Sequence, residues 1–237
     1  MKIKNLILGL AAVLAVSSCS DDENYTITLK ESGKLSLEVT INESPVVGEI
    51  VYLIPQFDES KDKASEVLEY SIDNKITDEN GKVGYGDVNV GNYYLVMEDV
   101  EIGGKFYNPS KLVQAVSGVN KSYSINVMDY TGTIEITVQN YNYETYEYEP
   151  YSGAKVAILT DEDYNNSSDI EDRLTKTIEQ ETTGSSGTVT FTLPSGTSYY
   201  AIVYITDGSG DIAESYSDYL GYLSAGEEDI TTFNTDF

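Results

Sequence analysis

The sequence predicts an all-β chain built from two tandem β-sandwiches of about seven strands each. The main indication is an internal repeat, in which a glycine-containing turn, an alternating run and a tyrosine-containing strand follow one another twice. Gly81 and Gly187, which end the two turns, are 106 positions apart. Gly91 and Gly196, which begin the two tyrosine strands, are 105 positions apart. Because self-similarity at a fixed spacing marks duplicated structural units, we expect two copies of one sandwich.

Composition supports the same fold class. The chain of 237 residues contains 21 Tyr and only 5 Pro, and aromatic and β-branched residues favour strands. Hydrophobic residues make up 40% of the chain and charged residues 23%, a balance typical of globular rather than disordered proteins. The length is sufficient for one or two domains.

The first unit begins with a strand in which Leu35, Leu37 and Val39 alternate with polar residues, so that one face is buried. A turn is expected at 78–81, where Gly81 adopts a positive φ without the steric penalty of a Cβ. The polar stretch 56–66 is expected to be a loop or one helical turn. Further strands are predicted at 48–54, 67–72, 83–90, 93–98, 111–117 and 122–128, a spacing typical of a sandwich.

The second unit repeats the first with two insertions. The first-strand segments 33–39 and 132–138 differ by 99 positions, whereas the next segments, 48–54 and 153–159, differ by 105. Six additional residues are therefore expected within 140–151. A charged insert at 161–173 is expected to be solvated, with a helical turn near 170–174. The remaining strands are predicted at 175–181, 188–193, 198–206, 216–223 and 229–237.

The N-terminal residues are predicted to be a secretion signal. A charged start precedes an apolar run at 6–16, which is too short and wrongly flanked for a transmembrane helix. The stretch 16–19 (Val-Ser-Ser-Cys) resembles the lipobox of bacterial lipoproteins. The resemblance implies removal of the signal peptide 1–18 and lipidation of Cys19, the single Cys of the chain. The alternative is an ordinary secretion signal with an incidental Cys.

Residues 19–30 are predicted to form an acidic tether, followed by sandwiches at 31–130 and 131–237. The acidic cluster 20–24 resembles the export signal that sends lipoproteins of gut-type Gram-negative anaerobes to the outer face of the outer membrane. This resemblance implies a protein held at the outer membrane by its N-terminal lipid and exposed at the cell surface. A periplasm-facing lipoprotein is the alternative.

Two residue types limit the chemistry of the chain. It has no His and one Cys, which excludes Ser-His-Asp and Cys-His catalytic sites, histidine zinc sites and intrachain disulfides. The formal net charge of −26 repels nucleic acid, which is itself a polyanion. We therefore expect no enzymatic activity, no cofactor and no nucleic-acid partner.

The order of the elements resembles a known superfamily. The turn 77–81 (Thr-Asp-Glu-Asn-Gly) and the strand start 91–94 (Gly-Asn-Tyr-Tyr) are similar to the transthyretin-like sandwich superfamily. This superfamily includes carboxypeptidase regulatory-like domains and the B-type stalk repeats of collagen-binding surface adhesins. Residues 33–128 match best, and 132–237 match more weakly because their turn lacks the Asp. The resemblance implies Greek-key sandwiches that serve in binding, adhesion or structural display.

The best candidate binding surface is the predicted insertion. Its five tyrosines alternate with polar residues, and a flat apolar ring with a polar tip suits a protein or glycan ligand. The alternative is an extended hairpin whose tyrosines pack on the protein itself. The five residues are Tyr141, Tyr143, Tyr146, Tyr148 and Tyr151.

A weaker candidate is a calcium loop at Asp207, Ser209 and Asp211, where oxygen-bearing side chains alternate. The loop lacks the twelve-residue calcium-binding pattern. A glycine-rich turn between strands is therefore favoured, and no metal site is predicted.

These observations predict a non-enzymatic, surface-exposed lipoprotein that acts as a binding, adhesive or display module. The first alternative is a carbohydrate-binding accessory lipoprotein of a glycan-uptake system, which an exposed and coplanar set of tyrosines would favour. The second is a hydrolase that uses carboxylates, which requires a deep cleft with converging acids.

Overall fold

The structure is a computed structural model that describes residues 31–56 and 68–237. The predicted all-β class is confirmed, since the described residues form eighteen strands and two short helices. The signal peptide 1–18, Cys19 and the acidic tether 19–30 lie outside the described residues. The helices are α1 (Asp161–Asn165) and α2 (Ile170–Thr175).

The strands, in chain order, are β1 (Ser32–Ile41), β2 (Ser44–Pro45), β3 (Ile50–Pro55), β4 (Asp73–Ile76), β5 (Lys82–Asn89), β6 (Gly91–Met97), β7 (Val100–Ile102), β8 (Lys105–Tyr107), β9 (Ser110–Ala115), β10 (Asn120–Asn126), β11 (Thr131–Asn142), β12 (Glu147–Pro150), β13 (Lys155–Thr160), β14 (Glu179–Thr182), β15 (Thr188–Pro194), β16 (Thr197–Thr206), β17 (Ile212–Leu223) and β18 (Glu228–Thr235).

Four main sheets form two pairs with the same strand order. In the N-terminal pair, β1 pairs with β10 in parallel and with β2 and β5 antiparallel, and the second sheet runs β4-β3-β6-β9. In the C-terminal pair, β11 pairs with β18 in parallel and with β12 and β15 antiparallel, and the second sheet runs β14-β13-β16-β17. The short β7–β8 hairpin belongs to neither pair. Glu31–Phe237 form one compact unit, so the domain boundary at residue 130 stays a prediction.

Each sheet pair encloses its own hydrophobic core. The alternation predicted for β1 is confirmed, because Leu35, Leu37 and Val39 are buried in the N-terminal core. Ile134, Ile136 and Val138 of β11 are buried in the same way in the C-terminal core. Burial of one such side chain stabilises a protein by about 1.5–3 kcal/mol. A shift of β1 or β11 by one residue would expose these side chains, so their burial fixes the register of both strands.

Strands β6 and β13 are buried on both faces, which the sequence analysis did not anticipate. Ile54, Tyr94 and Val96 form a second apolar cluster on the outer face of the first sheet pair, with Leu68 packed against it. A matching outer cluster on the second sheet pair is covered by apolar side chains of the charged insert. The insert expected to be solvated therefore covers the sheet with its apolar side chains, while Glu162, Asp169 and Glu171 are exposed.

The cover over the second sheet pair is held by two capped helices. Helix α2 confirms the helical turn expected near 170–174, whereas α1 was not predicted. The Thr160 side chain accepts a hydrogen bond from the Asp163 amide, and the Asp169 side chain accepts one from the Asp172 amide. These caps satisfy amide groups that a helix start leaves without partners. Tyr164 from α1 and Ile170 from α2 pack against the outer cluster.

Two strand predictions were wrong. In the stretch 67–72, Leu68–Tyr70 form a 3₁₀ turn and the strand lies later, at β4. The reason is that Leu68 packs on the outer cluster instead of continuing the strand. In the stretch 175–181, Thr175 is the last residue of α2 and the strand begins only at Glu179.

A tyrosine of β6 and one of β16 bind the end of the preceding strand in the same way in both sheet pairs. The Tyr93 hydroxyl donates a 2.8 Å hydrogen bond to the Asn89 carbonyl, and the Tyr199 hydroxyl donates one of 2.7 Å to the Pro194 carbonyl. Each bond spans the connection from the preceding strand. It satisfies the one polar atom of a ring that is otherwise buried.

In each sheet pair a buried threonine connects the residue before one strand, β3 or β13, to the residue after its neighbour, β4 or β14. The Thr77 hydroxyl accepts a 3.0 Å hydrogen bond from the Glu49 amide, and the Thr183 hydroxyl accepts one of the same length from the Ala154 amide. Both threonines are buried. Loss of the Thr183 hydroxyl would leave the buried Ala154 amide without this partner, and loss of the Thr77 hydroxyl would do the same to the partly buried Glu49 amide.

The two predicted glycine turns adopt the same conformation and pack on the first strand. Gly81 has φ +71° and Gly187 has φ +73°. Val39 donates a 2.8 Å backbone hydrogen bond to the Gly81 carbonyl, and Val138 donates one of 2.8 Å to the Gly187 carbonyl. A Cβ on either glycine would overlap the carbonyl oxygen of the facing valine. Only glycine therefore fits both the positive φ and the close approach.

The first of these turns is also held by a side chain. One Asp78 carboxylate oxygen accepts hydrogen bonds from the amides of Asn80 and Lys82, at 2.8 and 2.9 Å. These bonds, that from Lys82 first, hold the pKa of Asp78 below its ordinary value. Gly184 occupies the corresponding place in the second turn, where its carbonyl accepts the same 2.9 Å bond from Gly187 that Asp78 accepts from Gly81.

A partly buried ion pair joins the β7–β8 hairpin to the C-terminal sheet pair. The Lys105 ammonium at the start of β8 lies 2.6 Å from a Glu179 carboxylate oxygen and donates a 2.8 Å hydrogen bond to the Thr192 carbonyl. Both charged side chains are less than one third exposed. Tyr130, just before β11, adds a second link, since its hydroxyl donates to the Ser110 carbonyl at 2.7 Å and its own carbonyl accepts from the Ser195 amide.

We predict that Gly81→Ala and Gly187→Ala each lower the free energy of unfolding by about 1–3 kcal/mol, because each adds a Cβ at a positive φ against a backbone oxygen. Urea unfolding followed by circular dichroism measures the change. Gly84→Ala is the matched control: this β5 glycine has no atom within 4 Å of an added Cβ and should lose nothing. Equal loss in all three variants would show that the close approach is unimportant.

Candidate functional site

The predicted insertion forms an extended hairpin at the end of the C-terminal sheet pair. Strands β11 and β12 are paired from Gln139 opposite Pro150 to Asn142 opposite Glu147. In the N-terminal pair, Thr40 lies opposite Pro45 in the corresponding place. The first hairpin has four residues between its matching pair and the second has ten, so the six additional residues lie at this tip. Residues 140–149 are called the Tyr hairpin below.

Local hydrogen bonds give the tip of the Tyr hairpin a defined conformation. The Asn142 side chain accepts bonds from the amides of Glu144 and Thr145, at 2.8 and 3.3 Å, and the Asn142 carbonyl accepts a 2.8 Å bond from the Tyr146 amide. One Glu149 carboxylate oxygen accepts from both the Asn142 amide group and the Thr145 hydroxyl, each at 3.0 Å. Such bonds reduce the entropy that the tip would lose on binding a ligand.

Three tyrosines of the hairpin are exposed. The exposed fraction is 68% for Tyr143, 76% for Tyr146 and 49% for Tyr148. Tyr141 is only partly buried and contacts two of the exposed tyrosines, with ring centroids 5.0 Å from Tyr143 and 5.2 Å from Tyr148. The tip therefore presents a small cluster of rings to the outside.

Tyr151 differs from the other four tyrosines. Its side chain packs against the C-terminal core, and its ring centroid lies 5.3 Å from that of Phe237. The prediction that tyrosines of the insertion pack on the protein itself is thus correct for Tyr151. The structure brings Tyr141, Tyr143 and Tyr148 together and leaves Tyr151 outside their cluster.

The rings of the cluster are not coplanar. The planes of Tyr141 and Tyr143 meet at 87°, and those of Tyr141 and Tyr148 meet at 63°. These are edge-to-face contacts, which stabilise aromatic pairs by about 0.5–1.5 kcal/mol. The coplanar surface that would favour a carbohydrate ligand is not formed by these three rings.

The hairpin is acidic as well as aromatic. Glu144, Glu147 and Glu149 lie within it, and no Lys or Arg occurs from 139 to 154. All three carboxylates belong to exposed residues. The surface combines apolar rings, hydroxyl groups and negative charge, a composition suited to a polar protein surface with basic side chains.

The loop at Asp207 is a turn held by its own side chain. One Asp207 carboxylate oxygen accepts bonds from the amides of Ser209 and Asp211, at 2.8 and 3.1 Å. Gly210 has φ +92° and completes the turn. Within 31–56 and 68–237, no group of three or more His, Cys, Asp and Glu side chains is arranged to hold a metal ion.

A cleft of about 400 Å³ lies between the β7–β8 hairpin and the C-terminal sheet pair. Its lining includes four acids: Glu98, Asp99, Glu162 and Asp163. Burial, and next the charge of Asp99, raise the pKa of Glu98 above its ordinary value. A Thr160 hydroxyl donates to Asp163 at 2.7 Å, and the Lys105 ammonium in the lining is bound to Glu179. Asp163 and Lys105 of this lining are thus already engaged in contacts that hold the fold together.

A stack of aromatic rings on the outer face of the second sheet pair was missed in the sequence. The guanidinium carbon of Arg173 lies 3.8 Å from the ring centre of Tyr164, which in turn stacks on Tyr200 with centroids 3.8 Å apart and planes at 2°. Tyr219 of β17 follows at 5.1 Å from Tyr200. Arg173 is the one Arg of the sequence, which was a usable signal for a specific contact in so acidic a chain.

Across the two described stretches of the chain, no helix combines the length and the apolar character needed to cross a bilayer.

No protein-family model matches the sequence, and a search of curated proteins gives no match. Among solved structures, the chain is similar to GBS52, the minor pilin of Streptococcus agalactiae, with 15% identity, coverage of 86% of this chain and 95% of that one, and a TM-score of 0.41. It is also similar to the Bacillus anthracis TIE protein, with 16% identity, coverage of 86% and 34%, and a TM-score of 0.36. The chain spans about a third of that protein. Identities and TM-scores this low carry no argument about function.

Proposed function

We propose that the chain is a lipid-anchored, surface-exposed binding and adhesion module that captures a protein ligand through the Tyr hairpin and catalyses no reaction. The observation that carries the proposal is the set of three exposed tyrosines on a hydrogen-bonded tip. Tyr is favoured in binding surfaces because it offers a large contact area with few rotatable bonds. The sheet pairs would act as a support of transthyretin-like type, as the sequence resemblance implies.

A protein ligand is favoured over a glycan by the ring geometry. Because Tyr141 meets Tyr143 and Tyr148 edge to face, the three rings do not form the single coplanar surface expected of a carbohydrate site. The three glutamates of the hairpin favour a ligand with basic side chains instead. The glycan-uptake role is therefore the second candidate.

The proposed location rests on the N-terminal sequence. Lipidation of Cys19 would hold the protein at the outer membrane, and the acidic cluster 20–24 favours the outer face over the periplasmic one. Each acyl CH₂ buried in a bilayer contributes about 0.8 kcal/mol, so attached acyl chains retain a protein without a spanning helix.

We expect the variant Tyr143→Ser/Tyr146→Ser/Tyr148→Ser to bind its protein ligand at least about tenfold more weakly, because buried aromatic anchors dominate interface energies. The chain from residue 20 onward, fluorescently labelled, is applied to an array of purified extracellular-matrix and bacterial surface proteins and to a glycan array. Tyr70→Ser/Phe106→Ser is the control, since both residues are exposed aromatic residues outside the hairpin and outside β17.

The protein proposal fails if no protein spot binds the chain, or if the triple variant binds as well as the wild type. Binding confined to the glycan array would favour the second candidate instead.

Replacement of Cys19 by Ala should release the protein from the membrane fraction into the soluble fraction, because the acyl chains are attached through its thiol. Intact cells labelled with an antibody to the chain provide the second reading, with labelling expected for the wild type and lost in the variant. The conservative variant Ser18→Ala, next to the same site, serves as control. Wild-type protein that is membrane-bound but labelled only after cell lysis would place it on the periplasmic side.

A further inference from the structure

Strand β17 is an edge strand with one side open. It has twelve residues, pairs with β16 and ends its sheet. No strand formed by the described residues pairs with its outer edge. Most of its residues are exposed. Such an edge presents a row of backbone donors and acceptors that can pair with another extended chain.

The corresponding edge of the N-terminal sheet pair is protected in ways that β17 is not. Strand β9 occupies that place, has only six residues and follows Pro109. It also carries Lys111, whose ammonium donates to the Ser124 carbonyl. Short length, Pro and Lys are the usual means of blocking strand addition. Strand β17 contains neither Pro nor Lys and is twice as long. Two bulges interrupt its pairing with β16, so the regular part of this edge is Glu214 to Tyr219.

Contacts on both faces of β17 order the strand in the absence of a partner. Tyr216 and Leu220 pack against the C-terminal core, and Leu223 is buried in it. On the opposite face, the hydroxyls of Ser217 and Tyr164 lie 2.7 Å apart. An extended peptide would therefore meet a strand that is already ordered, which lowers the entropy cost of pairing.

The side chains of β17 determine which partner fits. Glu214 and Asp218 are exposed acids, and the strand has no basic residue to balance them. A second copy would place acid beside acid in a chain whose net charge is −26, and like charges across a strand pair are destabilising. A segment carrying Lys or Arg would pair favourably with the same acids.

The aromatic stack beside β17 points to the same partner. One end of the stack is closed by Arg173 on Tyr164. The other end is Tyr219, whose side chain is half exposed and lies on the opposite face of β17 from that of Asp218. A basic side chain from an added strand could lie on Tyr219 as Arg173 lies on Tyr164, by a cation–π contact.

We propose that β17 is a docking edge for an extended, lysine- or arginine-bearing segment of another protein, which adds to the sheet β14-β13-β16-β17 as a fifth strand. The inference is independent of the Tyr hairpin and of the function proposed for it.

The test uses a ten-residue peptide in which Lys alternates with Val, and the chain from residue 20 onward. Fluorescence anisotropy of the labelled peptide measures binding, and hydrogen–deuterium exchange locates it. We expect new amide protection on β17, and binding about tenfold weaker for Glu214→Lys/Asp218→Lys. The charge-matched variant Glu79→Lys/Asp87→Lys, which reverses two exposed acids of the N-terminal sheet pair, should bind the peptide as the wild type does.

Two control peptides separate strand addition from general attraction to an acidic protein. A peptide of equal charge in which N-methylated Lys alternates with Pro has no backbone N–H within the strand to donate and should not protect β17. A peptide in which Glu alternates with Val should not bind. Urea unfolding of the Lys variant checks that its fold is intact.

The proposal is overturned by absent binding, by equal protection with the Pro peptide, or by protection at another strand. Concentration-dependent self-association that protects β17 without any peptide would also overturn it, in favour of a second copy of the chain.

Discussion

The structure depends on one close approach that occurs twice, where a glycine turn lies against the first strand of each sheet pair. At Gly81 and Gly187 the backbone has a positive φ and the turn carbonyl accepts a hydrogen bond from a buried valine, Val39 or Val138. A side chain would hold the turn away from that strand. Because the turn begins the strand that pairs with the first strand, this spacing sets the register of the whole sheet. The buried threonine four residues before each glycine connects the other sheet to the same turn.

What differs between the two sheet pairs lies outside this shared frame. The second pair has a longer first hairpin and an edge strand twice as long. Neither of these changes alters the strand order, which is the same in both pairs. Segments free of the packing constraint can vary without loss of the fold, and binding residues are often found in such segments. This is the physical reason for seeking function at the Tyr hairpin and at β17.

The sequence was informative where the causes of structure are local. Alternation at Leu35, Leu37 and Val39 predicted β1, and the shift in repeat spacing predicted the six-residue extension now seen at the hairpin tip. It was not informative where contacts between residues far apart in the sequence determine the structure. Leu68 was assigned to a strand because its contacts with the outer cluster lie far along the chain. The ion pair of Lys105 with Glu179 spans 74 positions, and the ring angles of the tyrosines depend on side-chain packing that no spacing rule encodes.

The most direct test replaces the Tyr hairpin by the shorter hairpin of the N-terminal sheet pair and leaves the sheets unchanged. Residues 140–149 are replaced by the four residues 41–44 (Ile-Asn-Glu-Ser), which join the matching strand positions in the N-terminal sheet pair. Urea unfolding and ligand capture on the protein array are then measured on the same sample. The account predicts that this chimera unfolds cooperatively, as the wild type does, and captures no ligand. A folded chimera that captures the same ligand with unchanged affinity would contradict it.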